Sequence, residues 1–78
     1  MPPVYHPPVK RSVTIAGHET SISLEPMFWA ALEGAARDQA VPVNALIARI
    51  DAARIEARSP PNLTSALRQW LFTRALGG

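Results

Sequence analysis

The chain has 78 residues, 47% of them apolar and 18% charged, with a formal charge of +2 and no cysteine. That length fits one domain, and a domain this small buries only about 60% of the surface its unfolded chain exposes, so self-association is the expected supplement to its core. Disulfides, thiolate metal sites and thiol catalysis are excluded, His6 and His18 stand in no metal-ligand spacing, and no apolar run is long enough to cross a bilayer.

Residues 1–9 read as an extended arm, because four of the eight prolines fall in MPPVYHPP and proline donates no ladder hydrogen bond. Only Val4 and Tyr5 offer it an anchor. Residues 10–78 then form a single domain. KRSVTIAGHETSISL (10–24) alternates apolar and polar positions on both sides of Gly17, which predicts a β-hairpin. A two-residue loop at Gly17-His18 pairs Ala16 with Glu19, Ile15 with Thr20 and Val13 with Ile22, in a type II′ turn. Val13, Ile15, Thr20 and Ile22 then share one face, and Ser12, Thr14, Ser21 and Ser23 share the other. Sliding by one residue would set Val13 against a serine, so the faces are well specified.

Glu25-Pro26 opens a first helix, with proline suited to the first turn and the acid near the positive end of the dipole. Phe28, Trp29, Leu32, Ala35 and Ala36 recur at helical spacing, and the helix ends near Gln39, before Val41-Pro42. Gly34 is either tolerated or admits a neighbouring helix. A second helix runs from Pro42 to Arg58 with Val43, Leu46, Ile47, Ile50, Ala53 and Arg54 on one side, and Ser59-Pro60-Pro61 breaks it. Asn62 caps a third helix in which Leu63, Ala66, Leu67, Trp70, Leu71 and Arg74 share a side, and Gly77-Gly78 ends it. Asn62-Leu63-Thr64 matches a glycosylation sequon, but the cap is the simpler role. Trp29 and Trp70 are expected as core or interface anchors rather than base-stacking platforms. Asp51 and Arg68 either pair between the second and third helices or stand apart.

Charge is unevenly placed. Residues 1–24 carry Lys10 and Arg11 against Glu19, residues 25–59 four arginines against five acids, and residues 60–78 Arg68 and Arg74 with no acid. The sums are +1, −1 and +2. An ordinary solvated surface accounts for them. Glu33, Asp38, Asp51 and Glu56 are scattered, and no nucleophile–base grouping or phosphate loop occurs, so the expectation is a non-enzyme without cofactor or metal.

The opening KRSVTIAGHETSISLE and the order strand, helix, short turn, helix resemble the ribbon-helix-helix family, in particular its short bacterial members. The likeness extends from residue 10 to about residue 72. It implies an α+β, mostly helical fold, a hairpin or ribbon followed by three helices, in an intertwined homodimer. Two protomers would each lend a strand to an antiparallel ribbon whose outer face enters the major groove, a channel wide enough for two strands. On that pattern Ile22 and Leu24 face the core, with Val13, Ile15, Phe28, Trp29, Leu32, Leu46, Ile47 and Ile50 completing a two-protomer core. Glu19, Ser21 and Ser23 face DNA, and Val43 and Asn44 at the second helix's N-terminus hold a phosphate. Lys10, Arg11 and the arm would track the backbone. An in-chain hairpin in such a dimer would make a four-stranded sheet, wider than the groove accepts.

Two functions follow from the resemblance. The first is a homodimeric DNA-binding protein acting in transcription, for which the lack of cysteine and of an export signal suggests the cytoplasm. The second is a protein-interaction module of the same fold without sequence-specific DNA reading. The acid and two hydroxyls of the outer face favour the second. The resemblance and the basic flanks favour the first, which is placed ahead.

Overall fold

A computed structural model describes residues 4–77; the first three residues of the proline arm and Gly78 lie outside them. Residues 4–8 carry no regular secondary structure and lead into β1 (Val9–Ile15), which pairs antiparallel with β2 (His18–Leu24). Helices α1 (Pro26–Asp38), α2 (Val43–Ile55) and α3 (Leu63–Ala75) follow.

The hairpin forms, but its register differs by two residues from the expected one. Ile15 faces His18, Val13 faces Thr20, Arg11 faces Ile22 and Val9 faces Leu24, so the loop is Ala16-Gly17 and His18 belongs to β2. Both loop residues have positive φ, 51° and 82°, which is a type I′ turn rather than II′. That turn matches the right-handed twist of the strands. A shift of two keeps side-chain parity, and Val13, Ile15 and Ile22 therefore stay buried with Thr20 half-buried beside them. The shift also extends the ladder to Val9 and Leu24.

Helix α1 begins at Pro26 and buries Trp29, Leu32, Ala35 and Ala36, with Phe28 half-buried at the stripe's edge. It stops one residue before Gln39, through bonds from the Ala40 N–H to the Arg37 carbonyl and from the Val41 N–H to the Ala36 carbonyl. This is a Schellman arrangement with Ala40 at the left-handed position, φ 55°. Helix α2 ends at Ile55, three residues short of Arg58, because tightened bonds at Glu56 and Ala57 close its last turn. Helix α3 is capped as expected: the Ser65 N–H donates to Asn62 Oδ1 at 2.8 Å.

The inner face of the hairpin lies on the helices, α2 against β1 and α3 against β2. Leu24, Trp29, Leu32, Leu46, Ile47 and Leu67 are essentially inaccessible at its centre. Trp29 donates its indole N–H to the Val9 carbonyl at 2.9 Å, so its one polar group is satisfied. Of the ten residues expected in a two-protomer core, nine are buried and Phe28 packs beside them, all within one chain. Within the chain, β1 and β2 pair as a hairpin.

Ion pairs brace the helical layer. Arg68 Nη2 reaches Glu25 at 3.0 Å, Arg74 pairs with Asp38, and Arg54 pairs with Asp51 at 2.8 Å while also donating to the Pro61 carbonyl. Asp51 and Arg68 therefore do not pair. Arg54 sits one turn from Asp51 on the same helix, and Arg68 points instead to the start of α1. Glu25 is held below its ordinary carboxylate range, first by its own backbone N–H and then by Arg68.

Candidate nucleic-acid interface

Alternation along the two strands leaves Lys10, Ser12 and Thr14 of β1 and Glu19, Ser21 and Ser23 of β2 on the outer face, and all six are exposed. Lys10 stands opposite Ser23, Ser12 opposite Ser21, and Thr14 opposite Glu19. The face is two strands wide, polar throughout, and carries one charge of each sign at opposite ends.

One contact crosses it. Ser12 Oγ donates to Glu19 Oε1 at 3.2 Å, a diagonal between strands within reach of a long side chain. The carboxylate is thereby turned along the face, with its second oxygen making no hydrogen bond among the described residues. Ser12 and Thr14 did not figure among the expected DNA-facing residues. The same alternation that exposes Ser21 and Ser23 exposes them, and they join the face because β1 pairs within the chain.

Arg11 is separated from Lys10 by that alternation. It lies opposite Ile22, with its guanidinium over the Trp29 ring at 4.7 Å and Nη1 3.3 Å from Glu33. Its charge is engaged at the edge of the helical layer. Glu33, Asp38 and Asp51, scattered along the sequence, each hold an arginine. Among the described residues Lys10, Arg37, Arg49 and Arg58 form no ion pair, although Arg49 donates to Gln39 at 3.0 Å.

Val43 and Asn44 occupy the first turn of α2, where the capping residue is Pro42 and no side chain accepts from the helix N-terminus. Val43 is half-buried and Asn44 exposed. The start of α2 is an uncapped positive dipole end. Trp29 is buried and Trp70 half-buried beside Arg74, so neither lies on the outer ribbon face.

Strand β2 followed by α1, a short turn and α2, with the strand's inner face on the helices, is the element order of a ribbon-helix-helix protein. A family model described as the ribbon-helix-helix domain matches residues 8–75, and the chain belongs to that family. No curated protein and no solved structure matches the chain significantly.

Proposed function

We propose that the chain is a small bacterial DNA-binding protein of the cytoplasm, acting in transcription, with its outer ribbon face in the major groove. The observation that carries this reading is the face itself: six exposed polar side chains on a ribbon of groove width, whose inner side packs Val13, Ile15, Ile22 and Leu24 into the core. Lys10 supplies its positive charge, and the uncapped start of α2 at Val43 and Asn44 supplies a phosphate anchor. Arg11 contributes less than Lys10, because Glu33 already neutralises it. The role is binding rather than catalysis. Two closed chains act as a homodimer, and exposed Ile55, Phe72 and Leu76 offer apolar area for a second copy to cover.

The test is a salt-dependent titration against mixed-sequence duplex DNA. Glu19→Arg should tighten binding and steepen the salt dependence by about one or two phosphate equivalents per protomer. Lys10→Ala should weaken binding to all sequences alike, since phosphate contacts carry no base information. A second reading, a protein-interaction module, is favoured by the balance of Lys10 against Glu19, which leaves the outer face without net charge. A flat response to both variants, with the fold intact, would make that reading the better one.

A further inference from the structure

A cleft of about 530 Å³ lies between α2 and α3, and a smaller one of about 190 Å³ continues it past Trp70. Small side chains make the room, Ala53 and Ala57 on α2 and Ala66 on α3. The connection between the two helices is braced. Arg54 donates to the Pro61 carbonyl at 3.1 Å, and Asn62 fixes the first turn of α3 by accepting from the Ser65 N–H. Buried Ile50 and half-buried Trp70 give both parts of the cleft a shared apolar floor. Clefts of this size between helices, apolar with a few placed polar groups, are the usual form of a small-molecule site. No residue of the hairpin lines it, and Val43 and Asn44 lie outside it. It is therefore separate from the surface assigned above to DNA.

Charge selects the ligand. Among the described residues no acidic side chain lines the cleft, while Arg49, Arg54 and Arg74 do. Two of these are already neutralised, Arg54 by Asp51 at 2.8 Å and Arg74 by Asp38. Arg49 makes no ion pair among the described residues, and its Nη1 donates to Gln39 Oε1 at 3.0 Å. Gln39, the residue after α1, thereby holds the guanidinium at the smaller end of the cleft, with N–H donors to spare. That leaves one uncompensated positive charge, in a planar fork that matches a carboxylate bidentately. Beside it Trp70 offers an aromatic surface, with the Arg74 guanidinium over its ring at 6.0 Å. We propose that the cleft binds a planar aromatic monocarboxylate, its ring against Trp70, Ile50 and Ala66 and its carboxylate on Arg49. A single charge fits, because a second carboxylate would meet only arginines that are already paired.

The test is a heteronuclear NMR titration of the full chain with naphthoate. Naphthamide and a naphthalene dicarboxylate serve as the uncharged and doubly charged counterparts. The indole N–H resonances of Trp70 and Trp29 separate the cleft from the core, where Trp29 is buried. Naphthoate should give saturable shifts at Trp70, Arg49 and Ala53 and leave Trp29 in place. Naphthamide, and naphthoate with Arg49→Met, should each bind on the order of tenfold more weakly, the loss of one charge-assisted contact. Arg49→Lys should fall between, since lysine keeps the charge but not the fork. Arg58→Met is the control, an exposed arginine that lines neither part of the cleft, and should bind as the parent does. Ala53→Trp, at an exposed position on the cleft wall, should abolish binding while the rest of the spectrum stays folded. Equal weakening by Arg49→Met and Arg58→Met would overturn the proposal, because it would mark diffuse attraction to a basic surface. So would binding retained in Ala53→Trp, tighter binding of the dicarboxylate, or no saturable shift at Trp70. Shifts at Trp70 on raising the protein concentration without naphthoate would assign the cleft to a second copy of the chain, and would overturn it too.

Discussion

Ile22 is 2% exposed among Val13, Leu24 and the helices, while Ser23, the next residue on β2, lies on the outer face. Ile22→Asp would place an unpaired charge in a core with no buried polar partner, at a cost of about 3 kcal/mol or more. Ser23→Asp should change stability little. Urea unfolding of the two variants measures the difference, and equal midpoints would show the strand faces to be misassigned. Glu25 carries a second prediction. Its carboxyl pKa is lowered in the folded chain by its own backbone N–H and by Arg68, so the stability it contributes is full above the ordinary carboxylate value. That stability is lost as pH falls through the lowered folded value. Arg68→Gln removes the second cause and leaves the first. Unfolding free energies measured across the acid range should then fall less steeply with pH than in the parent, and an unchanged slope would show that Arg68 does not act on Glu25.

The hairpin turn and α1 both contain backbone choices that the sequence makes imperfectly. Ala16 occupies the left-handed region at φ 51° in a turn that favours Asn-Gly. Ala16→Asn should stabilise the fold by about 0.5–1 kcal/mol, since asparagine tolerates that conformation better. Gly34 lies mid-helix on α1, and a Cβ there would meet nothing closer than an Arg37 guanidinium nitrogen at 3.9 Å. No neighbouring helix needs the glycine for close approach. Gly34→Ala should therefore add about 1 kcal/mol. A thermal melt checks each substitution, and a loss of stability in Gly34→Ala would reveal a contact that this chain alone does not make.

At the scale of the molecule, β1 and α3 close the core that a lone strand and two helices would leave open. Val13 and Ile15 come from β1, and Ala66, Leu67 and Leu71 from α3, all buried against Leu46, Ile47 and Trp29. A homodimer of such chains should part into folded monomers. Sedimentation at falling concentration should move from twice the 8.5 kDa chain mass towards that mass itself, with the helical circular dichroism signal unchanged. Simultaneous loss of mass and helicity would mean that the core depends on the second chain.

Element type and strand face were legible in the residues because they depend on local periodicity. Alternation around Gly17 placed Val13, Ile15 and Ile22 inside, and a register shift of two residues could not disturb that parity. The stripe from Trp29 to Ala36 and the Asn62 cap were equally local. The opening KRSVTIAGHETSISLE pointed to the family that the match over residues 8–75 shows. What the tertiary structure decided is longer in range. Turn type followed from the twist the paired strands share, which moved the loop from Gly17-His18 to Ala16-Gly17. Arg68 found Glu25 rather than Asp51, and Arg11 found Trp29 and Glu33, because ion-pair partners are chosen by how helices pack against the sheet. Above all, β1 pairs with β2 of the same chain, which brings Ser12 to Glu19. Strand patterns are the same whichever chain supplies the partner, so the choice rests on the short turn and on the helices closing beneath both strands.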